Sequence, residues 1–537
     1  MNWRNKTFLI VGFILATVPL LAQTIYNVQQ YGATGNGVTL DTAAIQSAVN
    51  AAHNAGGGLV TFPPGTYLMG GGITLTNNIT IILTNGAFLE ASTNQSNWSG
   101  HAPNKIFYAT NCRNISILGA NGNGLMDGGG LFFYQGDPGS PLSGNHLTHM
   151  IEMHFSTNIT LASLNLQNSC EQTITFNDCS NVTVTSVTVT NRPREFGSGD
   201  DGIDFSDCGY VLASNLNIQT GDDGICVKAE TNHFGAHDIW IENCTVATTT
   251  MATKIGTATY SSVYNIVFTN ITVNLHPGIV IGGNNPLPDG RCEAAINTCM
   301  CNGGFSHDVV FTHYTINECS IPIYMEVNDY KSGLAYGMQS NIFFGDINCL
   351  NASNACQFNV ETGATNNLMM ITISNLTTHN FETYSGTNSP PYQDNGYPYG
   401  YKIGSTIVHM PAYGLFARYV KGLMFAGTNQ FYDDGHSGRP NSIVLENCSN
   451  VMTNAPPSNG SSSPVFSIAA IDGTNVVMNG SGGVANNTFY ILTSTNVASP
   501  LTNWVAFATN VFDSNGNFKS TNRIRPTAAA QFFLLSK

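Results

Sequence analysis

The stretch Gly197–Lys228, GSGDDGIDFSDCGYVLASNLNIQTGDDGICVK, contains the unit Asp-Asp-Gly-Ile twice, at residues 200–203 and 222–225. Identical units spaced this way predict that Ile203 and Ile225 hold equivalent core positions in successive parallel strands, about 4.8 Å apart. Gly224 then lies over Gly202 and Asp223 over Asp201, with Asp222 beside them. Carboxylates stacked at that range are not all ionised cheaply. Like charges raise at least one pKa, which leaves one group holding a proton and another acting as a base. One proton donor and one base are the minimum that hydrolysis of a glycosidic bond requires.

Two features set this cluster apart. The glycine after each pair, Gly202 or Gly224, is expected to permit a backbone turn that aims the carboxylates outward into a groove. Left on the inward face with Ile203 and Ile225 they would be buried and unpaired, at high cost. The cations are clustered as well: between Arg113 and Arg291 the only Lys or Arg residues are Arg192, Arg194, Lys228 and Lys254. That placing predicts pairing to the aspartates, to a hydroxyl-rich or acidic ligand, or to both. Asp201, Asp222 and Asp223 are therefore the candidate catalytic residues, and Lys228, Lys254 and Arg194 candidate substrate-binding residues. His237, which follows the second unit, and Tyr324, in IPIYMEV with Glu326, are further candidates for the same groove. The competing readings are turn-forming Asp-Asp-Gly units merely neutralised by cations, and a calcium site built from the same carboxylates. No metal or cofactor is assigned.

Outward from the cluster, the chain from Ile73 to about Asn450 repeats Asn-Ile-Thr followed by alternating apolar residues: NITII, NISIL, NITLA, NVTVT, NIVFT, NIFFG. Each unit is one short strand with its turn, too small to bury its own face, so the units stack as a parallel β-solenoid and the fold class is all-β. The repeated Asn-x-Ser/Thr tripeptides are explained by turn asparagines stacked in a ladder as well as by glycosylation. Before the repeats, Tyr31–Gly71 carries a helix pattern: Asp41 as N-cap, an apolar stripe at Ala44, Ile45, Ala48 and Val49, and Gly56–Gly58 as the stop. This helix is placed over the first coil, whose strand edge and apolar end need a cover.

Charged residues are 9% of the chain against 42% hydrophobic, and the net charge is −14. An acidic protein of this kind repels polyanions, which argues against nucleic acid as a partner and requires a local basic site for any acidic substrate. Residues 1–22, with Arg4, Lys6 and the apolar run Phe8–Ala22, have the pattern of a signal peptide, so the mature protein is expected to be secreted, periplasmic or at the cell surface. No stable membrane insertion is expected after its removal, and a monomer is expected. Of the 13 cysteines, Cys226 and Cys244 fall in strand-like runs as buried thiols. Cys292, Cys299 and Cys301 fall in a loop-like stretch where a disulfide is expected over a zinc site, because no histidine interleaves. Residues 23–454 form the solenoid domain, 455–464 (APPSNGSSSP) a linker, and 465–537 a small β-rich, sandwich-like module.

With these residues in view the chain resembles the polygalacturonase-like glycoside hydrolases of family twenty-eight, whose fold is a right-handed single-stranded parallel β-helix. The resemblance covers most of residues 24–450. It rests on YGATGNG, the capping helix and GGGLVTFPPGTYL at the start, and on GDDGID and TGDDGIC at the centre. The family pattern Asn-Thr-Asp-Gly-Ile-Asp falls on Gly199–Asp204 and Gly-Asp-Asp on Gly221–Asp223. By that carry-over Asp222 is the general acid, and Asp201 and Asp223 activate water for inversion. Two family elements are replaced: the Gly-His-Gly position carries TTTMATKIGT with Lys254, and the Arg-Ile-Lys position falls on GIVIGG with Val280 and Gly282. The resemblance implies a polysaccharide or oligosaccharide substrate, pectin-like or a related plant or algal glycan. Two alternatives remain at this level: a calcium-dependent polysaccharide lyase on the same fold, and a non-catalytic glycan-binding solenoid.

Overall fold

The computed structural model describes residues 24–453 apart from 100–103, 121–123, 131–145, 192–198, 232–233, 278–290, 329–334, 383–401 and a few single or paired positions, together with the strands within 465–536. The leader, Arg192, Arg194, His233, Val280, Gly282 and the linker lie outside the described residues.

Each alternating run forms a strand that pairs in parallel with the strand one coil on, giving a right-handed parallel β-helix. Because side chains alternate, one residue in two points inward and stacks on its equivalent in the next coil. One such column runs Ile159, Val182, Val211, Ile239, Ile266, Val309, Ile342, Ile371 and Leu423. Where the column is aromatic, the rings stack face to face. Phe176 and Phe205 have centroids 5.4 Å apart and planes inclined by 4°, and Phe268, Phe311 and Phe344 continue the pattern in later coils. The same inward residues are fully buried, so the core is one apolar rod along the helix axis.

The turn before each inward column carries the asparagines of the repeat. Asn78, Asn114, Asn158 and Asn181 all have left-handed backbone (φ 53–62°), which Asn tolerates better than other non-glycine residues. Their side-chain amides hand a hydrogen bond up the stack: Asn114 donates to Asn78 at 2.7 Å, Asn158 to Asn114 at 2.9 Å and Asn181 to Asn158 at 3.2 Å. Tyr210 interrupts the ladder at the same φ, and it resumes with Asn265 donating to Asp238 and Asn341 to Asp308.

The helix Thr42–Asn54 buries Ile45, Ala48, Val49 and Ala52 against the first coils. It stops at Gly56 and Gly57, both at positive φ, with Gly57 N–H donating to the Ala52 carbonyl at 2.9 Å. Asp41 does not cap it with its side chain. The carboxylate instead accepts from Thr34 N–H (2.6 Å) and Gly35 N–H (3.1 Å). The turn preceding the helix therefore competes successfully for the acceptor.

The cysteine reading is also corrected. Cys292–Met300 is a strand with every residue buried, not a loop, and Cys292, Cys299 and Cys301 are free thiols. Most of its side chains are small or apolar, which suits a buried strand: Cys292 packs in the main core opposite Cys319, and Cys299 lies opposite Glu326. The described strands within 465–536 form a separate compact unit of two three-stranded antiparallel sheets. Met478, Phe489, Ile491, Phe512 and Phe518 supply its core.

The ladder gives a paired test of why asparagine is used. Asn158→Ala must place a Cβ-bearing residue without a local hydrogen bond at φ 58°, and should cost about 1–2 kcal/mol in urea unfolding. Asn158→Gly should cost clearly less; equal losses would mean that the hydrogen bonds, not the backbone conformation, set the requirement.

Candidate active site

The register around the two Asp-Asp-Gly-Ile units is the expected one. Ile203 pairs with Ile225, Asp204 with Cys226 and Ser206 with Lys228. Hydrogen bonds from Gly202 N–H to the Asp223 carbonyl and from Gly224 N–H to the Met251 carbonyl, both 2.8 Å, carry the ladder back into the acidic pairs and set Asp201 over Asp223. The role of the glycines differs from expectation, because neither has left-handed backbone. They are needed for space. A Cβ on Gly202 would run into Ile218 Cγ2 and the Gly224 carbonyl, and one on Gly224 into Val246 Cγ1 and the Ala252 carbonyl.

Strand alternation puts Asp204, Lys228 and Lys254 on the outer face while Ile203, Val227 and Ile255 face inward. The Lys228 ammonium lies between two carboxylates, 3.1 Å from Asp201 Oδ2 and 2.8 Å from Asp204 Oδ2. Lys254 Nζ is 2.6 Å from Asp223 Oδ2. Among the described residues no lysine pairs with Asp222. Its carboxylate accepts from Gly199 N–H and Asp223 N–H, each at 2.9 Å, and from the Thr250 hydroxyl at 3.3 Å. That hydroxyl also donates to Asp223 Oδ1 at 3.0 Å, so it bridges the two carboxyl groups.

These surroundings separate the acids electrostatically. Burial, then the charges of Asp201 and Asp223, push the Asp222 carboxyl up to about 8, against a smaller opposing pull from Lys254. Burial acts the same way on Asp223, but the charge and hydrogen bond of Lys254, with Lys228 and the Thr250 hydroxyl, together outweigh it and hold that carboxyl below its ordinary value. Burial raises Asp204 to about 7 despite Lys228. For each lysine burial opposes the charge, and the neighbouring aspartates, Asp204 first for Lys228 and Asp223 for Lys254, more than restore it.

The backbone of the acidic turns is clamped by a run of threonines. Thr248 donates to the Asp222 carbonyl, Thr249 to the Gly221 carbonyl and Thr220 to the Asp200 carbonyl. Thr248–Thr250 occupy the stretch where the resemblance would have placed a histidine. Asp204, the threonine run and Glu293, buried on the next coil, are participants that the sequence reading missed. The alternation Ile203-Asp204-Phe205 was the available signal for the first. Asp201, Asp204 and Cys226 also offer atoms within 4.8 Å of one another that could hold a metal ion. The Lys228 ammonium already neutralises both carboxylates there, and burial pushes the Cys226 thiol far up, so the set fits a divalent cation poorly.

The structure does not bring all candidates to the cluster. Arg194 lies outside the described residues. His237 is drawn into a stack with Tyr210 and Tyr264, their centroids 5.3 and 5.2 Å from its ring, and its Nδ1 is 2.9 Å from Asp238. The stacking column beyond the turn captures it. Tyr324 is buried two coils past Lys254, with its hydroxyl donating to Glu326 at 2.6 Å.

Fold and site together define a β-helical protein with a carboxylate and lysine cluster on one outer sheet face. Residues 70–273, which span that cluster, match the family model for glycosyl hydrolases family 28. A probable polygalacturonase from Vitis vinifera is 27% identical over 222 residues, 38% of this chain and 44% of that one. The match thus spans less than half the length of that relative. Among solved structures, the family 28 exopolygalacturonase of Yersinia enterocolitica superposes with a TM-score of 0.60 at 17% identity, over 81% of this chain and 79% of that one. The endo-xylogalacturonan hydrolase of Aspergillus tubingensis gives 0.50 at 15% identity, over 80% and 98%. Over residues 70–273 the chain is thus similar to the family 28 glycosyl hydrolases, and over most of its length it shares the fold of the solved members.

The Lys254–Asp223 pair makes a stability prediction. Asp223 is depressed, so its contribution is present above the unfolded value near pH 4 and lost as pH falls through the folded one. Lys254 is raised, so its contribution is complete below about pH 10 and lost as pH rises through the folded value. Lys254→Met leaves a buried carboxylate unpaired and should cost roughly 3 kcal/mol at pH 7. The gap to wild type in denaturant titrations should narrow in acid; a gap independent of pH would show that lost packing accounts for the effect.

Proposed function

We propose that this chain is a glycoside hydrolase that cleaves a pectin-like polysaccharide by single displacement with inversion, acting after export from the cell. The observation that carries the reading is the unequal distribution of lysines. Asp201 and Asp223 each have an ammonium partner, while Asp222 has none among the described residues and is pushed up to about 8. Groups whose surroundings drive their pKa values apart divide into acid and base. Asp222 holds its proton near neutral pH and delivers it to the glycosidic oxygen. Asp223, held below its ordinary value, and Asp201, paired with Lys228, orient a water and take its proton as it attacks the anomeric carbon. The Thr250 hydroxyl lies within hydrogen-bond distance of both Asp222 and Asp223, and so keeps the acid in register with the base.

A lyase on the same face is less well supported, since it requires a neutral base to remove a proton beside a uronate. Both lysines of the cluster are held cationic by buried aspartates. Among the described residues no helix is long and apolar enough to cross a membrane.

The acid assignment predicts the pH profile: kcat/KM should fall as pH rises through about 8, because ionised Asp222 has no proton to give. Asp222→Asn should lower turnover of a natural glycan by roughly 10²–10⁴-fold, the usual worth of a general acid. Turnover of a substrate with an activated leaving group should suffer far less. Equal losses on both substrates would reject Asp222 as the acid, and full activity would reject the hydrolase reading. Proton NMR of the first product should show the inverted anomer; a retained one would require a covalent intermediate.

A further inference from the structure

Glu293 is absent from the mechanism above, yet it lies close enough to Asp223, Lys254 and Asp222 to feel their charges from the side of the following coils. It begins the strand Cys292–Met300 opposite Thr250, whose carbonyl accepts its N–H at 2.8 Å. It is 2% exposed, and its Oε1 is buried without a hydrogen-bond partner. Burial first, then the charges of Asp223 and Asp222, push its carboxyl well up, while Lys254 pulls the other way. Its position follows the segment 70–273 that matches the family model.

Among the described residues the local cations are already committed. Lys228 serves Asp201 and Asp204, Lys254 serves Asp223, and Arg291, two residues before Glu293, pairs with Glu318 at 3.0 Å. Among the described residues, both lysines of the cluster are thus already paired with buried aspartates. To bind a substrate carboxylate, either lysine would have to be shared with a buried aspartate that depends on it. Glu293 offers a substrate carboxylate nothing attractive in either protonation state: protonated it brings no positive charge, and ionised it repels.

We propose that the sugar seated beside Glu293, on the coils that follow the catalytic carboxylates, is uncharged: a neutral or esterified residue and not a uronate anion. The proposal rests on the hydrolase reading for the location of the sugar. It makes Glu293 a specificity-determining residue that acts through its field, without touching the reacting atoms.

The test measures affinity, so that it stands apart from turnover. Titration calorimetry of the wild-type protein compares a galacturonate trimer with the same trimer after carboxyl reduction to galactose. The neutral trimer should bind at least about tenfold tighter, and the gap should shrink as salt is raised. Equal or tighter binding of the charged trimer overturns the proposal, and so does a failure of both trimers to bind. Glu293→Lys, checked for folding by circular dichroism, should shift the ratio by at least about tenfold toward the charged trimer, and in cleavage assays the shift should appear in KM more than in kcat. An unchanged ratio in the folded variant overturns the assignment to Glu293. If that variant does not fold, the wild-type ranking and its salt dependence decide alone. Loss of the Asp222 effect on cleavage would sink the hydrolase reading without altering the ranking of the two trimers.

Discussion

Parallel stacking at one strand spacing is the constraint on which the rest of this structure depends. Whatever occupies a position in one coil faces its equivalent in the next, about 4.8 Å away. Apolar residues gain from this, as the isoleucine and valine columns and the stacked Phe176 and Phe205 show. Asparagines gain too, because an amide both donates and accepts. Carboxylates lose, and Asp201 over Asp223 is the place where the loss is concentrated. The alternation of the strands supplies the remedy by sending Lys228 and Lys254 out on the same face as the acids. Their reach includes Asp201, Asp204 and Asp223 and stops short of pairing Asp222. The different surroundings of Asp222 and Asp223 are thus a consequence of register.

The architecture was legible because repetition makes it so. One turn of the solenoid predicts the next, and the pairing of Ile203 with Ile225 could be deduced from two copies of a four-residue unit. Within the site, the aspartates and the two lysines were legible for the same reason, together with the scarcity of cations in the chain. Residues that act through a single non-repeating contact were not. Nothing in the run Thr248–Thr250 announces that its hydroxyls hold the Asp222 turn, since threonine is also what a strand prefers. Glu293 sits between apolar residues that suggest core, and its neighbours come from coils about 40 and 70 residues earlier in the chain. His237 and Asp41 show the reverse error. Each is the right residue type for its expected job, but a nearer partner, an aromatic column in one case and a turn backbone in the other, satisfies it first.

Substitution of the histidine-bearing element by threonines alters how the site is held together. A histidine could exchange protons with the carboxyl groups, whereas a threonine hydroxyl only relays hydrogen bonds between them and to the backbone. The positioning of Asp222 then rests on neutral contacts, two backbone N–H groups and one hydroxyl. Hydrogen bonds to a carboxylate favour its ionised form, yet burial and the adjacent charges outweigh them here. Burial first, and then the field of the neighbouring carboxylates, push the Asp222 carboxyl up.

A cluster of this kind carries a stability cost that the fold is suited to absorb. Buried ion pairs contribute little net stabilisation, because desolvation offsets most of their attraction, and the unpartnered oxygens of Asp204 and Glu293 add to the cost. In a globular core such a defect would weaken packing in many directions. In a solenoid, stability is close to a sum over coils and their interfaces with nearest neighbours. The apolar column continues without interruption beneath the cluster, from Ile174 through Ile203 to Ile225. The cost therefore stays on the outer face of the coils that carry the acids, and the coils on either side are free to keep the pairing that aligns those acids.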